Sequence, residues 1–174
     1  MAPAVTPTTV LTRVSYVYIL LSMRDTTTPL ERGTAAADQC TCFNLRKASR
    51  AISQVYDDIL RPSGLRITQY SLLMVIRRMG TASITQLAEQ AVMDRTTLAR
   101  NLALLEGEGL VLIEAGADAR VREVSLNAAA HDKLATAVPY WEKAQARVAR
   151  SLGAARIHRL LGDLSAAVGA AQDQ

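Results

Sequence analysis

Aromatic residues are scarce in this sequence, which has one phenylalanine, one tryptophan and five tyrosines among 174 residues. Aromatic side chains favour strands, so their scarcity beside abundant alanine and leucine favours a helical protein over a strand-rich sandwich. Hydrophobic residues make up 49% of the chain and charged residues 21%. This balance is typical of a folded protein, and the length suits one domain with extensions.

Cysteine and histidine are equally rare. Two cysteines, Cys40 and Cys42, cannot build a disulfide framework, so we expect a reducing cytoplasm. The two histidines, His131 and His158, have no cluster of ligand-type residues around them, so we expect no metal and no cofactor. The phosphate-binding, zinc-protease and serine-hydrolase motifs are missing too, which argues against an enzyme. The one enzymatic alternative is a thiol peroxidase that uses Cys42.

No apolar run is long enough to cross a bilayer. The longest candidate, "VSYVYILLSM" from Val14 to Met23, has about ten residues, against the roughly twenty that a spanning helix needs. It is either a targeting signal or part of an extension, with Met23 as an alternative start. The single preceding Arg13 and the lack of a nearby small-x-small cleavage site favour the extension. We therefore predict an N-terminal tether over residues 1–39 and no membrane partner.

Helical periodicity starts at Cys40. Apolar residues recur at three- and four-residue steps as far as Leu60, which predicts a first helix in segment 40–66. A second helix is expected from an N-cap at Thr68 to Gly80. Ser83, followed three residues later by Gln86, predicts a capping box and a short third helix.

A fourth helix is predicted from an N-cap at Asp94 to about Glu106, after a tight turn, which gives a helix-turn-helix pattern. Leucines at helical spacing face the core: Leu98, Leu102 and Leu105. The opposite face carries arginines, hydroxyls and an amide: Arg95, Thr96, Thr97, Arg100 and Asn101. Such a face is either simply solvated, or it enters the major groove of DNA and contacts bases and phosphates.

A hairpin follows this helix. Two strands, Val111 to Glu114 and Val121 to Leu126, are predicted around the tip "AGADA". A hairpin in this place is a wing, in which Arg120 can enter the minor groove while Asp118 holds it. The net charge of +4 and the pI near 9.4 permit such a polyanionic partner without requiring it.

The run "DRTTLARNLALLEGEGLV", the "DAR" of the hairpin and the following "VSLN" resemble the MarR family of winged-helix transcriptional regulators. The resemblance implies a mainly α fold with a small β-hairpin wing: a winged helix-turn-helix lobe at 67–126, and dimerisation helices at 40–66 and 127–174. The chain departs from the family at Asn127, where threonine is frequent, and at Ala130, where glycine is frequent. Asparagine still caps a helix well.

What the resemblance implies is a regulator that binds a pseudo-palindromic operator in double-stranded DNA as a homodimer and acts by repression or activation through occupancy, with repression as the preferred prediction. The groove residues are those of the polar face of the fourth helix. Thr68 and Gln69 are phosphate contacts, and Arg120 is the wing residue, with Asp118 orienting it and Arg122 on the strand behind. A module that binds only proteins is the rival interpretation. Helical periodicity also leaves open whether the C-terminal helices, one containing Pro139, pack within one subunit or between two.

The releasing signal has two candidates. Cys42 near a helix start, with Tyr56 and Tyr70, is similar to the organic-hydroperoxide-sensing (OhrR-type) branch of the family, although Arg46 stands where that branch has a tyrosine. Cys40 is a further difference, and residues two apart in a helix point to different sides, so a bridge between subunits is the remaining disulfide. The other signal is a small apolar or aromatic acid, in which case the cysteines simply pack.

Overall fold

The computed structural model describes residues 28–30, 33 and 39–172, so the apolar segment Val14 to Met23 lies outside the described residues. The chain divides into two compact units, Met1–Lys47 and Ala48–Gln174. The helices are α1 (Thr41–Leu60), α2 (Ile67–Met79), α3 (Ile84–Ala91), α4 (Arg95–Gly107), α5 (Ala128–Leu152) and α6 (Ala154–Gln172). The strands are β1 (Ala82–Ser83), β2 (Val111–Ala115) and β3 (Arg122–Leu126). This is the mainly α architecture with a β-hairpin that the sequence predicts.

The start of α1 differs from the prediction. Cys40 precedes the helix, and its Sγ accepts a hydrogen bond from the Phe43 backbone N–H at 3.5 Å. The Cys40 carbonyl oxygen also accepts one from the Asn44 backbone N–H at 3.0 Å. The expectation that both cysteines lie within the helix is therefore wrong, because Cys40 occupies the capping position and only Cys42 is in the first turn.

The start of α2 also differs. Thr68 is not the N-cap: the helix begins at Ile67, after Arg66 in an extended conformation. The Asp57 carboxylate on α1 accepts a hydrogen bond from the Ile67 N–H at 2.7 Å, and Gln69 Oε1 accepts one from the Arg66 N–H at 3.0 Å. Acceptors from α1 and from the third helical residue thus satisfy the first amides of α2, and no hydroxyl cap at Thr68 is needed.

Helices α3 and α4 have the caps that the sequence predicts. The Ser83 hydroxyl accepts a hydrogen bond from the Gln86 N–H at 3.2 Å, and Gln86 Oε1 accepts one from the Ser83 N–H at 2.9 Å, which makes the capping box. Asp94 Oδ1 accepts a hydrogen bond from the Thr97 N–H at 2.9 Å at the start of α4. The helix-turn-helix is therefore confirmed with both of its predicted N-caps.

The same left-handed turn ends both helices. After α4, Gly109 has a φ of 67°, and the Leu110 N–H donates to the Leu105 carbonyl at 2.8 Å. After α3, the Met93 N–H donates to the Ala88 carbonyl at 2.9 Å, but the residue in the left-handed position is Val92, with a φ of 51°. A β-branched residue is strained in this conformation, whereas glycine is not.

The sheet has one strand more than the sequence predicts. Its order is β1-β3-β2, and Ala82 of β1 pairs with Val124. A two-residue strand leaves no alternation to detect, which is why β1 was missed. In the hairpin, Val111 pairs with Leu126 and Ala115 with Arg122. Strand β3 starts at Arg122 rather than Val121, because the Val121 N–H and carbonyl close the tip through hydrogen bonds to Asp118 and Gly116.

The core of the second unit collects side chains from every element except α6. Its fully buried large side chains are Leu60, Leu73, Ile76, Leu87, Leu98, Leu102, Leu105, Leu134, Val111 and Val124. Helix α5 has its predicted N-cap, Asn127, and runs continuously through Pro139. Helix α6 has no buried residue. Among the described residues, no helix combines the length and the apolarity that crossing a membrane requires.

Candidate nucleic-acid interface

Helix α4 separates an apolar face from a polar face as its sequence predicts. Leu98 and Leu102 are 0% exposed, and Leu105 is 1% exposed. On the other side the polar residues are exposed, except Asn101, which is half-buried: Arg95, Thr96, Thr97, Arg100 and Asn101. The leucines anchor the helix to the lobe, so the arginines and hydroxyls of its first two turns point to solvent.

The N-terminus of α4 is capped by a charged group. Hydrogen bonds from the Thr97 side chain and then from its backbone N–H lower the pKa of Asp94 below its ordinary value of 3.8. Asp94 is therefore ionised at neutral pH, where its charge also suits the positive end of the helix dipole. Thr97 thus takes part in the cap as well as in the exposed face.

The candidate phosphate contacts on α2 have different environments. Thr68 is exposed and lies with Asn101 in the narrow groove between α2 and α4. Gln69 is half-buried: its Oε1 accepts from the Arg66 N–H, and its Nε2 donates to Glu108 Oε1 at 2.9 Å. The Gln69 side chain therefore joins the start of α2 to the C-cap of α4. Because its carboxamide is already hydrogen-bonded, the backbone N–H of Gln69 is the group that can contact a phosphate.

In the hairpin, Asp118 acts on Arg120 through the backbone. Asp118 Oδ1 accepts a hydrogen bond from the Arg120 N–H at 2.9 Å, and the Arg120 side chain is exposed at the tip. Arg122 Nη2 donates to the Ile113 carbonyl at 2.9 Å, so this guanidinium braces the hairpin. A Cβ at Gly116 would come within 2.9 Å of Glu123 Oε1, so a larger residue there would require the Glu123 side chain to move.

The two tyrosines singled out in the sequence contact α5. The Tyr56 hydroxyl donates a hydrogen bond to Gln145 Oε1, and the Tyr70 ring stacks on Trp141 with centroids 6.1 Å apart. Burial raises the pKa of both phenols. These partners on α5 were not predicted, because contacts between residues so distant in sequence leave no local signal. Cys40 and Cys42 are both exposed, free thiols.

A cavity of about 340 Å³ lies beside the helix-turn-helix. Its polar lining consists of three hydroxyls and one amide, from Ser53, Thr68, Ser71 and Asn101. The rest of the lining is apolar: Ile67, Leu72, Val75, Ala91 and Met93. Across the described part of the chain, no three His, Cys, Asp or Glu side chains gather to hold a metal ion. The cavity is open to solvent on one side and has room for a small organic molecule.

The lobe consists of three helices, α2 to α4, and a hairpin with an arginine at its tip. This arrangement, with the polar face of α4 exposed, defines a winged helix-turn-helix protein. The MarR family profile matches residues 65–116. This chain is similar to the M. tuberculosis transcriptional regulator MosR, whose structure in complex with DNA is known. The two sequences are 41% identical over 76% of this chain and 98% of the MosR chain, and the TM-score is 0.68. No match was found among curated proteins.

Two more distant structures share the fold. The transcriptional repressor CouR, bound to a 23-mer DNA duplex, is 21% identical, with 76% of this chain and 95% of CouR covered and a TM-score of 0.69. A cysteine-to-serine variant of MarR from E. coli, complexed with operator DNA, is 15% identical, with coverages of 81% and 99% and a TM-score of 0.68.

This chain belongs to the MarR family. The resemblance inferred from the sequence is therefore confirmed, and the protein is a transcriptional regulator rather than an enzyme. The roles assigned to individual residues, the domain boundaries and the similarity to the hydroperoxide-sensing branch stay predictions.

Proposed function

We propose that the protein is a cytoplasmic repressor that binds a pseudo-palindromic operator as a homodimer and leaves DNA in response to a signal. The observation that carries the proposal is the exposed polar face of α4 beside the exposed Arg120 of the wing. Helix α4 has the shape and donors to enter a major groove, and an arginine at a hairpin tip suits the adjacent minor groove. MosR, CouR and E. coli MarR have each been solved with DNA, which supports the same partner here.

Within this proposal, the side chains of α4 have separate roles. Arg95 and Arg100 supply guanidinium forks for guanine edges or phosphates, and Thr96 supplies a short hydroxyl that can approach a base. Thr97 fixes the helix start through Asp94. Asn101, being half-buried, reaches DNA only at the rim of the α2–α4 groove. Thr68 and Gln69 place the backbone of α2 near phosphates.

The proposed dimer rests on apolar surface that the single chain leaves uncovered. Helix α6 carries a stripe at helical spacing, in which Leu160, Leu161 and Val168 are 42%, 54% and 42% exposed. On α1, Phe43 and Ile52 are also exposed, at 48% and 39%. Apolar stripes of this kind are favourable only when another helix covers them. Two-fold pairing would place two α4 helices for the two halves of an operator.

Two signals are compatible with the site. The exposed Cys42 thiol can take the terminal OH of an organic hydroperoxide: a sulfur–oxygen bond forms as the O–O bond breaks, and the alkoxide leaves with the thiol proton as an alcohol, so that Cys42 becomes a sulfenic acid. Alternatively, a small molecule can occupy the 340 Å³ cavity, which Thr68 and Asn101 line together with apolar residues. The lining has no cationic side chain, so this cavity favours a neutral ligand over an aromatic acid.

Salt titration of Arg120→Ala tests the DNA interface. Loss of one phosphate or minor-groove charge should weaken binding to every duplex and lower the slope of log K against log salt by about 0.9. Arg156→Ala, which removes an exposed arginine from α6, is the matched control and should leave the slope unchanged. Equal slopes for wild type and Arg120→Ala would remove Arg120 from the interface.

One equivalent of an organic hydroperoxide separates the two signals. If Cys42 is the sensor, DNA binding is lost on oxidation in the wild type and kept in Cys42→Ser, and no further peroxide is consumed. Binding that ignores peroxide in both proteins excludes oxidation and leaves the cavity ligand. Continued turnover of peroxide with a reductant would instead indicate a thiol peroxidase activity.

A further inference from the structure

Asn127 connects three elements at once. It follows the last residue of β3 and caps α5, because its Oδ1 accepts a hydrogen bond from the Ala130 N–H at 2.9 Å. Its Nδ2 donates to the carbonyl oxygen of Gly109, and its backbone N–H donates to the Leu110 carbonyl at 3.3 Å. Gly109 and Leu110 form the turn from α4 to β2. One side chain therefore ties the start of α5 to the joint between α4 and the wing.

Helix α2 also contacts this joint. Glu108, the C-cap of α4, accepts the hydrogen bond from Gln69 Nε2 at 2.9 Å. The turn residues Glu108 to Leu110 are thus bound both from α2 and from the N-cap of α5. Helix α5 is one of the proposed dimerisation helices. The hydrogen bond from Asn127 to Gly109 therefore connects such a helix to α4 and the wing, and it can fix their relative orientation.

The identity of residue 127 matters because the two side-chain bonds need two different atoms. An asparagine amide can accept from Ala130 and donate to Gly109 simultaneously, since its oxygen and nitrogen are separate. Serine or threonine supplies the cap acceptor but has a shorter side chain with one oxygen, and aspartate has no donor. The side-chain bond from residue 127 to Gly109 is therefore a feature of asparagine, whereas the cap and the backbone bond to Leu110 are not.

We propose that Asn127 is a positioning residue for DNA binding, holding the α4–β2 turn against α5 so that α4 and the wing keep one orientation relative to the dimerisation helices. The inference rests on the proposed function. Asn127 itself contacts no DNA in this scheme. Its loss should impair specific binding, which depends on simultaneous docking of helix and wing, more than non-specific binding, which depends on phosphate charge.

Asn127→Ser in the full-length protein separates capping from positioning. The probe is a duplex selected by the wild-type protein from a random-sequence library, with a scrambled duplex for non-specific binding. We expect about a tenfold loss of affinity for the selected duplex, equivalent to about 1.4 kcal/mol, with little change for the scrambled duplex or in Tm. Asn127→Ala, which loses the cap as well, should also lower Tm.

Asn127→Asp provides a second variant that keeps the cap acceptor and lacks the donor. If either the serine or the aspartate variant folds and binds the selected duplex like the wild type, the positioning role is wrong. If the wild type selects no duplex at any salt concentration, the proposed function fails instead. A loss that is equal for selected and scrambled duplexes also overturns the inference, because it would indicate a general charge or stability effect.

Discussion

Helix α4, in the DNA-binding lobe, and helix α6 have similar sequence patterns, yet their side chains are buried to very different extents. In the lobe, α4 buries Leu98, Leu102 and Leu105 to 1% exposure or less. Helix α6, six residues longer at 19 residues against 13, buries none of its side chains. Both sequences have apolar residues at three- and four-residue steps. Periodicity therefore specifies that a helix has an apolar face, but not whether the same chain covers that face.

The lobe and α6 should therefore be stabilised by different contacts. The lobe has its own core and should fold on contacts within one subunit, whereas in the proposed dimer α6 would gain stabilisation when a second copy covers its stripe. A regulator built this way can keep its DNA-contacting surface rigid while the dimer interface sets the spacing between two such surfaces.

The largest expected effect comes from the lobe core. Leu98→Ala should lower the free energy of unfolding by about 3 kcal/mol, because it leaves a cavity around a fully buried position. Leu161→Ala, on the exposed stripe of α6, should cost less than about 1 kcal/mol in dilute protein where dimers dissociate. Urea unfolding of both variants measures the difference. Equal losses would mean that α6 packs within its own chain.

A charge on the α6 stripe should break the dimer and spare the lobe. Leu161→Glu should raise the dimer dissociation constant by about a hundredfold, since a carboxylate would be buried without a partner. Ala166→Glu, on the opposite face of the same helix, is the control and should leave it unchanged. Sedimentation equilibrium gives both constants. An unaltered dimer in Leu161→Glu would rule this stripe out as the interface.

The turns before and after α4 each contain a residue in the left-handed conformation, but one is valine and the other is glycine. Val92→Gly should stabilise the protein by about 1 kcal/mol, because it relieves the left-handed strain at a side chain that is 57% exposed. Gly109→Val should destabilise it for the same reason, by about 1–2 kcal/mol. Thermal unfolding tests the pair. A Val92→Gly variant less stable than the wild type would contradict the strain argument.

The smallest effect concerns the cap of α4. The Thr97 hydrogen bonds lower the pKa of Asp94, so its stabilisation is complete above the unfolded-state value of 3.8 and is lost as pH falls through the lower folded-state value. Asp94→Asn caps without titrating at this position. The Tm advantage of the wild type over Asp94→Asn should therefore shrink from pH 5 downward. A constant difference down to pH 2 would show that the ionised carboxylate contributes nothing specific.

Local signals in the sequence predicted the features that depend on neighbouring residues. Ser83 with Gln86 and Asp94 with Thr97 act within one helical turn, so both caps were found. The leucine spacing of α4 gave its buried face for the same reason. The start of α2 was misplaced because Asp57, from another helix, caps it at Ile67.

Contacts between distant parts of the sequence could not be predicted. Tyr56 and Tyr70 stood out in the sequence, but their partners Gln145 and Trp141 lie on α5. Strand β1 exists only because Ala82 pairs with Val124 of the wing. Asn127 was predicted to cap α5, but its second hydrogen bond, to Gly109, is seen only in the structure.

By itself the sequence determined the helices, the wing, the polar face of α4 and the family, because helix periodicity, capping and the motif run all lie within short segments. The tertiary structure decided which apolar faces are covered, which residues of α5 contact Tyr56 and Tyr70, and which side chains hold the turn between α4 and the wing. These depend on which distant residues meet in three dimensions, and that choice is made by packing the whole core rather than by any local stretch of sequence.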